Sequence, residues 1–333
     1  MQVGIDTFSI SSLGADAFGQ LDWIKSHGFE GAQFGVLGTD AAELQKIRIY
    51  ADDMGLYSHT SVSSPNPVIF DEAEDKLYDL IVQQVEAAAS AGWHELHSTL
   101  GADGNRYRSA VAWPVQLDAS CVMLKRLSPV LKEFSSRINL ETHFDTTTFE
   151  LLRMVEAVGQ DVCGICLDTA NVMLFGEHPI EAARRAAPYT HLTHIKDGLL
   201  YMDHRGLKRA GRAPGSGSVD FREILPILGK YSPDLPLSIE DHKWLFGAEI
   251  FEASWHEQQA DLSREELGRV VGLAWAGQQR IISGEEPDPD EYEKIEYKDE
   301  MEARLHAGRD YLNGVIEEHN LRTKPLKATK ESV

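Results

Sequence analysis

Eight times along the chain a short apolar run of β character is followed by a longer stretch whose apolar residues recur at helical spacing. No other feature of the sequence constrains the fold as tightly. The β-like runs fall at residues 3–8, 31–36, 56–62, 95–100, 138–141, 162–168, 192–196 and 237–240. The helical stretches between them fall near 16–27, 41–54, 71–91, 117–135, 147–158, 179–187 and 221–228. A helix starting near Ser263 closes the eighth unit, because Ser263-Arg-Glu-Glu266 has the spacing of a capping box and Leu267, Val270, Val271 and Ala274 follow at helical intervals. Regular alternation predicts a parallel sheet, and eight units predict a closed (β/α)8 barrel of class α/β. The open, doubly wound alternative would carry a Gly-x-Gly-x-x-Gly phosphate loop after its first strand, and none follows residues 3–8.

A barrel domain over residues 1–282 takes up most of the 333 residues, since such barrels run to roughly 250. Residues 283–333 are read as an acidic linker and a partly helical C-terminal extension. Residues 284–300 hold nine acids and two lysines, a net charge of -7 within a chain total of -21, and Pro287 and Pro289 interrupt regular structure there. Beyond them, Met301, Leu305, Tyr311, Leu312 and Val315 supply the apolar residues of a helix that lies on the barrel or on another subunit. The acidic total repels nucleic-acid phosphate and anionic lipid, so neither is expected as a partner. No run approaches the roughly 18 apolar residues of a membrane span, and the first residues read as a strand rather than a secretory signal, so a cytoplasmic location is expected. Three cysteines make no disulfide framework. Cys163-Gly-Ile-Cys166 has redox or zinc spacing, but residues three apart on a strand point to opposite faces, which argues against both roles.

The chemistry gathers at the carboxyl ends of the last four strands. These read Ile138-Asn-Leu-Glu141-Thr-His143, Ile165-Cys-Leu-Asp168-Thr-Ala-Asn171, Leu192-Thr-His194-Ile-Lys196-Asp197 and Leu237-Ser-Ile-Glu240-Asp-His242. Two-residue alternation puts Glu141 and His143 on the face opposite Leu140, and Glu240 and His242 on the face opposite Ile239. In a barrel the apolar face meets the helices and the polar face looks inward. Glu141, Asp168, His194 and Glu240 therefore converge at the end of the barrel where such enzymes keep their active sites. Three carboxylates brought this close repel one another unless a cation compensates them. Three oxygen donors and an imidazole suit Mn²⁺, with Mg²⁺, Co²⁺ or Zn²⁺ as alternatives; the competing reading is a buried ion-pair network.

With Glu141-Thr-His143, Leu167-Asp168-Thr-Ala-Asn171, Thr193-His194-Ile-Lys196-Asp197 and Gly215-Ser-Gly-Ser-Val-Asp220-Phe221, the chain resembles the xylose-isomerase-like barrel superfamily of sugar phosphate isomerases and epimerases, keto-sugar 3-epimerases and inosose dehydratases. The resemblance covers about residues 1–282. It implies that Glu141, Asp168, His194 and Glu240 are metal ligands and that Glu141 and Glu240 double as an acid/base pair. Two departures count against a plain epimerase: Asn171 stands where the epimerases often carry a histidine, and their Gly-Arg-Gly-Glu-Ile-Asp loop becomes Gly215-Ser-Gly-Ser-Val-Asp220. In length, metal site and extended C-terminus the chain is also similar to the large catalytic subunits of bacterial C-glycoside deglycosidases. That resemblance implies Mn²⁺-dependent cleavage of the carbon-carbon bond between a 3-oxo sugar and its aromatic aglycone, with His143 as base and a small β-sandwich partner subunit.

These activities share one physical requirement. A C–H beside a carbonyl is a weak acid until a cation and hydrogen bonds stabilise the enolate, and an imidazole near pKa 6.5 is suited to removing the proton. His143 is either that base or a support for Glu141. Lys196 is either a substrate contact or the partner of a carboxylate. His59 and His97 are candidates for sugar hydroxyls or are structural histidines. Arg205 and Arg212 lie in what reads as a long loop at the barrel mouth, with Arg205 the candidate substrate contact. Trp244, just past the eighth strand, is placed to stack on an aglycone or sugar face. Two other classes compete: a metal-dependent endonuclease on the same barrel, which the charge of -21 opposes, and a non-catalytic scaffold.

Overall fold

Strands that are apolar on both faces must be covered on both, so in a parallel sheet the helices wrap the outside and the side chains fill the inside. The computed structural model describes residues 1–101 and 105–322. Its strands are β1 (Gln2–Asp6), β2 (Gly31–Gln33), β3 (Tyr57–His59), β4 (Glu95–Ser98), β5 (Arg137–Glu141), β6 (Cys163–Asp168), β7 (Thr190–Ile195), β8 (Asp197–Met202), β9 (Leu207–Arg212), β10 (Pro236–Ile239) and β11 (Leu245–Ala248). Eight of them form one parallel sheet in the order β3-β2-β1-β10-β7-β6-β5-β4. Its two ends meet: His97 N–H donates to Thr60 O at 3.1 Å and Val62 N–H to His97 O at 2.9 Å, around a bridge between Ser61 and His97. The fold is the (β/α)8 barrel that the alternation predicts.

The helices are α1 (Ala17–Ser26), α2 (Ala41–Asp53), α3 (Glu74–Ser90), α4 (Asn105–Arg108), α5 (Trp113–Glu133), α6 (Thr148–Val158), α7 (Pro179–Ala186), α8 (Phe221–Tyr231), α9 (Ala253–Glu257), α10 (Arg264–Ser283), α11 (Pro289–Tyr292) and α12 (Tyr297–Glu318). Among the described residues no helix is long and apolar enough to cross a membrane. Ser263 Oγ caps α10 by accepting Glu266 N–H at 3.0 Å, which is half of the predicted capping box. The other half is missing because the Glu266 carboxylate accepts from His178 N–H at 3.0 Å and pairs with Arg185 at 2.8 Å.

Two elements depart from the sequence-based expectation. Of the long loop expected between Asp197 and Phe221, residues 197–212 form the β8–β9 hairpin, and β11 adds to it as a three-stranded antiparallel sheet. Its turn is set by Asp203, whose carboxylate accepts the N–H of Arg205 at 2.8 Å and of Gly206 at 3.1 Å, with Gly206 at φ 147°. The helix expected to close the eighth unit, α10, packs on this small sheet. Gly277 passes so near the backbone of β8 that an added Cβ would strike Leu200 O. The place beside β1, β10 and α8 is taken by α12.

That exchange is possible because the acid-rich stretch is tied down. Arg212 reaches Glu286 at 3.0 Å, and Lys243 reaches Glu300 at 2.6 Å and the carbonyls of Tyr292 and Ile295 at 2.9 and 3.0 Å. Leu305, Leu312 and Ile316 of α12 are fully buried, and Arg304 pairs with Asp241 through Nε at 2.7 Å and Nη2 at 2.6 Å. Residues 323–333 of the predicted extension lie outside the described residues. Leu312→Ala should therefore cost about 2–5 kcal/mol in urea unfolding, as a core truncation does, whereas a helix resting loosely on the surface would lose less than about 0.5 kcal/mol.

Candidate active site

Parallel register decides which side chains meet. Asp168 lies opposite His194 across β6 and β7, and Ser238 lies opposite His194 across β7 and β10, so Glu240 stands one pleat above it. A ring nitrogen of His194 and a carboxylate oxygen from each of Glu141, Asp168 and Glu240 fall within 4.8 Å of one another. His194 Nδ1 is 2.8 Å from Glu240 Oε2 and 3.4 Å from Glu141 Oε1. All three atoms are buried, yet among the described residues none has a partner in hydrogen-bond geometry. Ligand atoms that converge on a point without bonding to one another are what a small cation requires of its site.

The other atoms of the ring are held by neighbours. His97 Nε2 meets Glu141 Oε2 at 3.0 Å, and its Nδ1 meets Ser61 Oγ at 2.9 Å. Lys196 Nζ reaches Asp168 Oδ2 and Glu240 Oε1, each at 2.9 Å. Asp168 Oδ1 accepts the N–H groups of Ala170 and Asn171 at 2.9 and 2.8 Å, and its Oδ2 accepts from Asn171 Nδ2 at 2.6 Å. Behind Asn171, Arg209 from the hairpin donates to Asn171 Oδ1 at 2.7 Å while its guanidinium lies 4.9 Å from the ring centre of Phe246. On the far side His194 Nε2 is 2.5 Å from Gln33 Nε2, while Gln33 Oε1 lacks a partner among the described residues. Turning that amide over lets His194 Nε2–H donate to Gln33 Oε1 and leaves the Nδ1 lone pair facing the carboxylates.

The electrostatics follow from burying acids among bases. Burial opposes ionisation of Glu141, but the charges of the nearby His194 and His143 and the hydrogen bond from His97 outweigh it and hold the carboxyl well below its usual range. Glu240 is likewise held low, by Lys196 and His194 against its burial. His194 is pushed well above the usual histidine range by Cys166, Glu141 and Glu240 despite desolvation. Without a cation, the cluster keeps a proton on His194. Burial raises Asp168 against the pull of Lys196, and raises Asp6, which is 3.5 Å from His194 Nε2, to about 6. Burial also pushes the Cys166 thiol far up, and Cys163 to about 12.

The other predicted residues are placed as follows. His143 packs its ring on Phe144, with centroids 3.9 Å apart, and its buried Nδ1 has no hydrogen-bond partner among the described residues. Lys196 points into the ring. His97, expected near a sugar hydroxyl, has both ring nitrogens engaged and supports Glu141 instead. His59 packs against Tyr57 and makes none of the described contacts with the ring. Arg205 sits near the hairpin tip in an exposed pair with Glu249 at 2.8 Å, because the turn carries it away from the fold's interior; the hairpin residue that meets the site is Arg209. Trp244 is on the rim, half exposed, 5.7 Å from Phe8 and 4.4 Å from His242 between ring centres. Beside the mouth, Phe144, Phe246, Leu245, Phe175 and Trp255 line a cavity of about 930 Å³. Asp6 and Gln33, which sequence reasoning missed, end β1 and β2, where the strand-end rule used for the last four strands would also have found them.

The description of xylose isomerase-like TIM barrels matches residues 21–267. The chain belongs to this family. Within it, the chain is 24% identical over 213 residues to an uncharacterized protein, YihM, of Escherichia coli K12, a match that covers 64% of this chain and 60% of that one. It is 28% identical over 117 residues to a 3-oxo-isoapionate decarboxylase of Pectobacterium atrosepticum, covering 34% and 42% of the two chains. Neither relative is spanned to two thirds of its length. The D-psicose 3-epimerase of Clostridium cellulolyticum H10, solved with D-tagatose, superposes with a TM-score of 0.65 at 13% identity over 95% of this chain and 99% of that one, a likeness of fold.

His59 gives the family barrel a pH signature. Burial lowers its pKa to about 4, below the usual 6.5, so the folded state favours the neutral ring. Stability from this source is complete above 6.5 and is lost as pH falls toward 4, by up to about 3 kcal/mol. Urea midpoints measured across that window should fall less steeply for His59→Gln than for the parent chain.

Proposed function

We propose that the barrel mouth is the active site of a divalent-metal-dependent carbohydrate enzyme that removes a proton from the carbon beside a sugar carbonyl. The observation that carries this reading is the convergence of the unpartnered Glu141 Oε1, Glu240 Oε2 and His194 Nδ1, with Asp168, on one point. The donor set fits Mn²⁺, with Mg²⁺, Co²⁺ or Zn²⁺ as alternatives, and Glu141, Asp168, His194 and Glu240 would hold it. Bound there, such a cation would stabilise the charge that develops on the carbonyl oxygen as the proton leaves.

The chain's own residues supply the rest. His143 offers an unpartnered Nδ1 beside Glu141 and is assigned as the base. Lys196 offsets the charges of Asp168 and Glu240, so that the ring is not left with three uncompensated carboxylates. Trp244 and the cavity walls of Phe144 and Phe246 give an aromatic group rings to stack on at the mouth. The specific reading is carbon-carbon cleavage of a 3-oxo C-glycoside. His143 Nδ1 takes the C2 proton, and the electron pair left at C2 forms a C1–C2 double bond. The C1–aglycone bond breaks as it forms, and the departing ring carbon takes up a proton. A 3-oxo substrate also stands in the name of the Pectobacterium relative. With this reading comes a small β-sandwich partner subunit, which rests on the resemblance to deglycosidases.

A second reading, keto-sugar or sugar-phosphate isomerase or epimerase, draws on Glu141 and Glu240 both approaching His194 Nδ1 from different strands. In it one carboxylate removes the proton and the other returns one. Deuterium incorporation from D2O into 3-oxo C-glucosides and ketoses, with Mn²⁺ present, separates the two. Free aglycone selects the lyase, and exchange with an epimerised sugar selects the isomerase. Chelation should abolish both activities. His143→Ala should slow exchange about 100- to 10,000-fold if it is the base, and an unchanged rate would remove that assignment.

A further inference from the structure

A second cluster of ligand atoms lies outside the barrel mouth, where α12 crosses the end of α1. One ring nitrogen from each of His27 and His306 and a carboxylate oxygen of Glu302 lie within 4.8 Å of one another. Glu302 and His306 are four apart on α12, so they share a face, and His27 caps the C-terminus of α1. His27 Nδ1 is 2.7 Å from Trp23 O, and a carbonyl can only accept, so Nδ1 carries the hydrogen. Nε2 is then the free donor atom, and it faces Glu302 Oε1 at 3.6 Å, too long for a hydrogen bond. His306 Nε2 is buried and has no hydrogen-bond partner among the described residues. The His27 and His306 ring centres are 5.4 Å apart.

We propose that His27, Glu302 and His306 form a transition-metal site, separate from the barrel mouth, that pins the C-terminal helix to α1. Two imidazoles and one carboxylate with an open fourth position for water suit Zn²⁺, and also Ni²⁺ and Cu²⁺, better than the harder Mg²⁺ or Mn²⁺. The Trp23 carbonyl plays the part that backbone acceptors play behind ligating histidines: it fixes the tautomer and the ring orientation. Trp23 also stacks on His27 at 3.9 Å and 16°, which holds the ring still before a metal arrives. Arg309 does not oppose the charge head-on, since its guanidinium donates to the His27 carbonyl and pairs with Asp310. A metal here would tie the helix that completes the barrel wall to the first helix of the chain.

The test uses the full chain stripped with chelator and then titrated with Zn²⁺. Glu240→Gln disables the barrel site, and Glu302→Gln and His306→Ala disable the pinning site. The parent and Glu240→Gln should both gain several degrees in Tm with Zn²⁺, and Cu²⁺ should quench the fluorescence of Trp23 in both. Combined with Glu240→Gln, Glu302→Gln and His306→Ala should lose that gain; made alone in the parent chain, each should bind one equivalent less, with affinity at this position weakened at least about tenfold, while activity supported by Mn²⁺ stays unchanged. Equal stoichiometry and an equal Tm response in the parent and in Glu302→Gln, an exposed position whose change leaves the fold intact, would overturn the proposal. His27 and Glu302 would then be a surface ion pair beside His306 and nothing more.

Discussion

The mouth of this barrel crowds Glu141, Asp168 and Glu240 into a space from which water is largely excluded, and the surrounding structure can be read as the answer to that crowding. Like charges in a poorly solvated site either take up protons or find positive partners. The chain supplies Lys196 between two of the acids, holds His194 ready to carry a proton, and brings Arg209 up behind Asn171. Each base reaches one side of the ring. The atoms left over face one another across its centre.

Elements that look peripheral in the chain serve this arrangement. The β8–β9 hairpin carries Arg209 and presents it beneath Phe246 of β11. Asp197, at the start of that hairpin, gathers the N–H groups of Gly198, Gly215, Gly217 and Val219 on one buried carboxylate. That contact fixes the Gly215-Ser-Gly-Ser loop, where a Cβ at Gly217 would collide with Asp197. The departures from the epimerase pattern at Asn171 and in this loop thus fall on two positions tied to the same hairpin.

The barrel is legible in the sequence because strand and helix periods differ, and eight repetitions of the alternation leave little freedom. The four strand-end residues are legible for the same reason: a period of two decides which side chains face inward. What stays hidden depends on contacts between distant segments. Residues 197–212 lack clean alternation, and their strands exist only because they pair with each other and with β11. Both α10 and α12 carry apolar faces, and nothing local tells which one lines the wall; Arg304 meeting Asp241 and the buried Leu305 and Leu312 decide it. His97 reads from the sequence as a free strand-end histidine, while Ser61 and Glu141, which occupy its nitrogens, come from just past β3 and from β5.

The pairing of Arg304 with Asp241 bears on how the molecule comes into being. Asp241 follows Glu240 directly, so the peptide that aims one of the ring acids is braced by a side chain more than sixty positions further on. A ribosome delivers that brace late, after all eight staves have already emerged. Until then the growing polypeptide has an unsealed wall beside β1 and an unsteady last corner at its mouth, and it acquires working order only once the segment that carries Arg304 has been made.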